Sequence, residues 1–307
     1  PISPLSRPVG AVPCCRSRHT PMDPDPDRVD SVDWRFCQVF GDNSSVEEIQ
    51  EPDVISSVEF DKTGNYIAAG DRGGRVVVFE RVESSRMGRA RRTLGAPNVE
   101  YRFHTEFQSH EQEFDYLRSL EIDEKINQIK WLLPQSNAQF LLTANDKTIK
   151  LWKVYKRQLK EVAQMNLDAT TSPGVTKSLR IPQLHPIGTV VAATPRRLFQ
   201  NAHAYHLNSL SVCCDGLSFV SADDLRINLW QIENAKVGFN LVDIKPESMD
   251  DLNEVITNAE FHPTDGQLLM YSTSRGGIRM IDMRDSALCD KPTRVYETVS
   301  SDMASYY

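Results

Sequence analysis

One pattern recurs four times along this chain: an apolar strand, a short turn of small or polar residues, and a second strand closing on an aromatic side chain or on Ile-Asp. Its clearest copy runs from Leu217 to Ile232. Leu217, Phe219 and Val220 read as the first strand and Ser221 to Asp224 as the break. Arg226 to Trp230 is a second strand, with Ile227 and Leu229 on one face and Arg226, Asn228 and Trp230 on the other. The same order of residue types appears in Tyr66 to Phe79, Phe140 to Trp152 and Leu268 to Asp282. One copy cannot bury both faces of its own strands, so neighbouring copies must stack.

Repeats of this grammar are blades of a WD-repeat β-propeller. The predicted fold class is all-β, with four blades in an open partial ring. Repeat ends fall at Phe79, Trp152, Trp230 and Asp282, at intervals of 73, 78 and 52 residues, against roughly 40–45 for an uninterrupted repeat. The surplus is insertion, and insertions in such arrays collect on binding faces. Residues 1–30, rich in Pro, Ser, Arg and Asp, predict a disordered extension. Residues 31–296 make the partial propeller and 297–307 a divergent tail, with Met22 an alternative start to Pro1.

In order, Trp34 to Phe40 alternates as a strand, and the first repeat spans Ile55 to Glu80. Arg81 to Pro97 reads as a polar loop. Tyr101 to Lys125 mixes aromatics with acids without a clean period, the composition of a partner-docking connector. The second repeat is Ile126 to Val154, and Lys156 to Lys177 reads as a long arm leaving the core. The third repeat takes in Ile181 to Ala193 and Leu207 to Ile232, and the fourth Val255 to Met283.

Sites with chemistry are scarce. Gly70-Asp71-Arg72-Gly73-Gly74 lacks the spacing of a phosphate loop and runs into a strand rather than a helix, so it is a hairpin turn. His203 and His206 are the most metal-like pair, but no third ligand accompanies them, and a histidine before a blade's first strand usually bonds within the blade. The six cysteines (Cys14, Cys15, Cys37, Cys213, Cys214, Cys289) fit neither a disulfide framework nor zinc spacing, which predicts a reduced cytosolic or nuclear compartment. A net charge of −7 disfavours nucleic acid and favours basic partners. No run reaches the roughly 18 apolar residues of a membrane span. No catalytic residue, metal or cofactor is predicted.

Several longer strings resemble one family. Phe107-Gln-Ser-His-Glu-x-Glu-Phe-Asp-Tyr-Leu117, Ser119 to Asn127, Asn145 to Trp152, Ser221 to Trp230 and Ser286 to Asp290 look like the B-type (55 kDa class) regulatory subunit of type 2A serine/threonine protein phosphatase. The resemblance covers Val32 to Tyr296 and implies four of seven blades, the chain being shorter at its C-terminal side than the family. It implies a non-catalytic subunit that docks on a helical-repeat scaffold subunit and a metal-dependent catalytic subunit. Phosphoprotein substrates would be selected through an acidic groove on the top face. Matching groove positions are Glu51, Arg72, Asp224 and Leu252. Scaffold docking would use the arm after Trp152 and the connector, here Phe107, His110, Glu111, Glu113, Phe114, Asp123 and Glu124. Asp71 and Asp224 are read as sitting in equivalent turns of different blades, so that ring symmetry puts both carboxylates on one rim. A generic WD-repeat interaction scaffold, a propeller enzyme, and a non-functional or dominant-negative fragment are the competing readings.

Overall fold

A computed structural model describes residues 38–40, 50–83, 99–116, 119–163, 181–286, 288–289 and 291–297. All of them belong to the compact unit Cys37–Tyr307. The expected disorder of residues 1–30, most of the arm tip, and nearly all of the tail lie outside the described residues.

Four antiparallel four-stranded sheets follow one another, each in simple meander order, arranged as the blades of a β-propeller. Blade 1 is β1 (Ile55–Phe60), β2 (Tyr66–Asp71), β3 (Arg75–Glu83) and β4 (Val99–Gln108). A small hairpin, β5 (Glu113–Asp115) and β6 (Leu120–Ile122), intervenes. Blade 2 is β7 (Gln128–Trp131), β8 (Ala138–Ala144), β9 (Ile149–Ala163) and β10 (Gln183–Phe199). Blade 3 is β11 (Ser209–Val212), β12 (Ser218–Ala222), β13 (Arg226–Gln231) and β14 (Asn234–Asp243). Blade 4 is β15 (Ile256–Phe261), β16 (Leu268–Thr273), β17 (Ile278–Asp282) and β18 (Arg294–Tyr296). The recurring sequence pattern is thus the second and third strands of each blade.

The outer strands depart from the sequence expectations. Tyr101 to Phe107, read as part of an aperiodic connector, is most of β4, paired along β3. Residues from Arg81 to Glu83 extend β3 rather than opening a loop. Ile181 to Ala193 does not begin the third repeat: β10 closes blade 2, pairing with β9 from Gln183↔Ala163 to Phe199↔Ile149. The arm is therefore a two-stranded extension of blade 2. Gln38–Phe40 is not a strand. Instead the Gln38 side-chain amide exchanges two hydrogen bonds with the Tyr101 backbone, at 2.9 and 2.8 Å, and Phe40 stacks on Phe79.

Blades are joined by a repeating seam. The residue entering each new blade donates its N–H to a turn carbonyl of the blade before: Ile126 to Asp71, Leu207 to Asp146, Ile256 to Asp224, at 2.8–3.1 Å. Its own carbonyl is held by the corresponding polar residue of the earlier blade, through Ser56 to Ile126, Asn127 to Leu207 and Asn208 to Ile256. Those entry residues are 0, 2 and 0 % exposed, whereas their counterpart in blade 1, Ile55, is 57 % exposed. On the other side of the sheet, Met270 of blade 4 is 46 % exposed although its counterparts Ala68, Leu142 and Val220 are wholly buried. Among the described residues, Phe40 packs on Phe79 of the leading face of blade 1, while Ile55 there and Met270 on the trailing face of blade 4 stay exposed. Burying a Val, Leu, Ile, Phe or Met side chain is worth about 1.5–3 kcal/mol, so each covered seam contributes heavily and each uncovered one is an apolar face.

Candidate functional site: the rim of turns and linkers

The turns between the second and third strands share one rim with the linkers between blades, because the seam hydrogen bonds join them. The turns open on Asp71, Asn145, Asp223 and Thr273, and the first three cap them through their side chains. Asp71 Oδ1 accepts from Arg75 N at 2.8 Å, Asn145 Oδ1 from Thr148 N at 2.8 Å, and Asp223 Oδ1 from Leu225 N and Arg226 N at 2.8 and 2.6 Å. Thr273 cannot reach the same amides, and its hydroxyl is buried with no hydrogen-bond partner. Asp71 therefore aligns with Asp223, not with Asp224. It is buried, and it also holds the Arg75 guanidinium at 2.8 Å. Asp71 and Asp224 sit in equivalent turns of different blades but at different places within them, and the blade 1 turn runs one residue longer after Asp71, with Gly74 at φ 78°. The second turn position is the one that faces outward, and it is occupied by Arg72, Asp146, Asp224 and Ser274.

Two of the proposed groove residues meet. Arg72 and Glu51 form an exposed ion pair at 2.8 Å. They line a recess of about 470 Å³ together with Asp123, Glu124 and Lys125, so residues assigned from the sequence to separate substrate and scaffold surfaces share one cavity. Asp224 is half-buried and accepts from Asn208 Nδ2 at 2.9 Å, which ties its carboxylate to the seam. Leu252 follows a 3-10 turn, Met249–Asp251, capped by Ser248, and Tyr205 OH reaches Met249 Sδ at 4.0 Å.

The hairpin β5–β6 carries Glu113 and Phe114, both exposed, and Phe114 packs edge-on against Tyr116. Glu113 and Phe114 line a second recess of about 430 Å³ with Lys147, His203 and Arg226. Glu111 and Asp123 are exposed as well. Phe107 lies against Trp152 with ring centroids 4.4 Å apart, so it joins blades 1 and 2. His110 is placed inside the protein, 1 % exposed, where it anchors the connector rather than lining a surface. Burial foremost, then the nearby Lys150 ammonium, lowers its pKa to about 3.

One arrangement was not legible in advance. His203, Asp223 and Ser221 form a hydrogen-bonded line, Nδ1 to Asp223 at 2.9 Å and Nε2 to Ser221 Oγ at 2.6 Å. Trp230 Nε1 donates to the same Oγ at 2.8 Å, so the Ser221 hydroxyl proton goes to Nε2, and Nδ1–H donates to Asp223. The line has the residue types of a hydrolytic triad, yet Ser221 and Asp223 are 0 % exposed and every donor and acceptor is engaged within the blade. Burial opposes ionisation of Asp223, but the hydrogen bonds from His203, Leu225 and Arg226 outweigh it and hold the carboxyl below its usual range. The signal in the sequence was Ser221 and Asp223 two apart, with Trp230 nine after Ser221. His206 turns elsewhere, to Asp146 at 2.9 Å, so the two histidines do not converge on a metal.

A closed blade interior beneath an open, charged rim is the architecture of the β-propeller class. No family model matches the chain. Among curated proteins, it is 54 % identical over 275 residues to the B-type regulatory subunit of protein phosphatase PP2A from Schizosaccharomyces pombe, covering 87 % of this chain and 57 % of that one. It is 48 % identical over 301 residues to the beta isoform of the 55 kDa B-type regulatory subunit of serine/threonine protein phosphatase 2A from Arabidopsis thaliana (87 % and 60 %). It is 46 % identical over 305 residues to the phosphatase 2A regulatory subunit phr2AB of Dictyostelium discoideum (87 % and 62 %). The chain is a homologue of the B-type regulatory subunits of PP2A, and it spans about three-fifths of their length. Those relatives are named regulatory and not catalytic subunits, in agreement with the non-enzymatic reading.

Proposed function

We propose that this chain serves as the non-catalytic, substrate-selecting part of a heterotrimeric serine/threonine phosphatase, working in the cytoplasm and nucleus. It docks on a helical-repeat scaffold subunit and a catalytic subunit, and takes basic phosphoprotein segments along the rim. The observation that carries the reading is the homology at 46–54 % identity over 87 % of the chain. The rim adds support: Glu111, Glu113, Glu121, Asp123, Asp250 and Asp251 are carboxylates on its linkers, most of them well exposed. Such charges attract basic segments and raise their association rate.

Two substitutions at Asp224 test the substrate half of this reading. Asp224→Asn keeps an oxygen for Asn208 and removes only the charge, whereas Asp224→Lys reverses it. In complexes assembled with scaffold and catalytic subunits, Asp224→Lys weakens a basic phosphopeptide by about 1–3 kcal/mol at low salt and less at physiological salt. Asp224→Asn has an intermediate effect. Equal affinity and equal salt dependence in all three proteins would make Asp224 a seam residue alone. Failure of the chain to co-purify with the scaffold and catalytic subunits would remove the docking half.

A further inference from the structure

We propose that Cys213 and Cys214 form a chelating dithiol for a soft, trivalent metalloid centre at the seam between blades 3 and 4. The two residues open the tight turn that joins β11 to β12, closed by Cys213 N to Ser218 O at 2.9 Å and Gly216 N to Cys213 O at 3.0 Å. In an extended strand adjacent side chains diverge to opposite faces. Here both sulfurs converge on Gly266, in the facing turn of blade 4. A Cβ built on Gly266 would stand 2.6 Å from Cys213 Sγ and 3.3 Å from Cys214 Sγ. The missing side chain is what leaves room for both thiols.

The remaining chemistry selects a soft ligand. Asp215, the only carboxylate within the turn, spends Oδ1 on Leu217 N and Ser218 N and Oδ2 on Ser218 Oγ, and it also hydrogen-bonds the Cys213 thiol, a proton that capture removes. That leaves sulfur as the donor set, and thiolates select thiophilic centres over hard cations. Cys214 is half-buried and gives access, while Cys213 belongs to the buried cluster that seals the seam. Capture is a condensation without redox change. Each thiol replaces one hydroxyl on a hydrated organoarsenic(III) centre, two As–O bonds give way to two As–S bonds, and the thiol protons leave with the hydroxyls as two waters.

The test uses the full chain carrying Cys14→Ser and Cys15→Ser, which removes the other adjacent pair in the sequence. Treated with phenylarsine oxide in excess monothiol, it gains one phenylarsenic unit per chain by intact mass, and 2,3-dimercaptopropanol removes it. Cys214→Ser or Cys213→Ser weakens capture by about 10²-fold, the scale of a lost second attachment, and Cys289→Ser leaves it unchanged. Gly266→Ala, which keeps both thiols but fills their space, also lowers loading. If it fails to fold, the half-buried Cys214→Ser decides the matter. The proposal is overturned by no monothiol-resistant adduct, or by one that survives Cys214→Ser.

Discussion

Blades 2 and 3 solve the same problem with different residues. Both must support a polar turn over an apolar interior through a buried indole. In blade 3, Trp230 donates to Ser221, Ser221 to His203, and His203 to a charged Asp223, with all partners drawn from one blade and the linker entering it. In blade 2, Trp152 donates to Ser109 at 3.0 Å, Ser109 exchanges a hydrogen bond with Thr143 at 2.8 Å, and a neutral Asn145 caps the turn. Ser109 and His203 both lie on the linker entering their blade, but the indole's own acceptor is on the linker in blade 2 and on strand β12 in blade 3, so blade 2 borrows a partner that blade 3 supplies itself. The borrowed arrangement leaves His110 Nε2 without a hydrogen bond. Equivalent geometry therefore hides unequal chemistry, and the two blades respond to different perturbations.

The largest expected effect separates them directly. Asp223→Ala orphans the His203 N–H and two turn amides, each worth about 1–3 kcal/mol when buried and unpaired, for a loss of roughly 4 kcal/mol. Asn145→Ala, with a half-buried turn above it, costs about half as much. Urea unfolding of the two variants measures the difference, and equal losses would break the comparison.

A pH series comes next. Folded His110 stays neutral down to about pH 3, whereas the unfolded imidazole takes a proton near pH 6.5. The unfolded state therefore binds the extra proton, and stability falls as pH drops below about 6.5, by about 2 kcal/mol between pH 7 and pH 5. His110→Gln flattens that stretch of the stability profile. Asp223 works in the other window: its lowered pKa stabilises the fold above the unfolded carboxylate value, about 3.9, and that contribution disappears only as pH falls further. Of these two groups, only the one at blade 2 confers acid sensitivity near neutrality.

The smallest effect sharpens the contrast. Asn145 Nδ2 donates to Asp123 O at 3.1 Å, a hydrogen bond that an aspartate cannot make. Asn145→Asp gives blade 2 the turn residue of blade 3, yet it costs about 1 kcal/mol and speeds amide exchange in residues 119–124. Unchanged exchange there would show that the connector is held without Asn145.

The sequence made the inner strands plain and hid the outer ones, for physical reasons. Tyr66 to Phe79, Phe140 to Trp152 and their partners stand out as apolar runs broken by a polar turn, because each inner strand has apolar neighbours on both faces. Strand β10 carries Pro186 and Pro195, which read as breakers. Both stand at bulges, between Pro186 and Gly188 and between Pro195 and Arg197, on an edge strand where a missing N–H costs no ladder bond. On the rim, the repeat could not show which turn carboxylate is turned inward: Asp71 caps its turn as Asp223 does, one place before Asp224. Glu51 and Arg72, taken from resemblance, do meet. Their sharing of a recess with Asp123 and Glu124 depends on where the connector returns, which is not encoded locally.

That return has a consequence for how such a surface can change. The carbonyl of Gly74 accepts the N–H groups of Ser109 and His110, at 2.8 and 3.1 Å, and a Cβ there would meet the carbonyl oxygens of His110 and Glu124 at 2.3 and 2.9 Å. The excursion from His110 to Glu124 thus leaves and rejoins the blades at one glycine, as a cassette with both ends fixed to the same post. Doubling the length of a flexible loop costs only about 0.6 kcal/mol of closure entropy. A change of length between these two clasped residues is therefore absorbed above the post, and its closure cost alone takes little from the stability of the blades beneath.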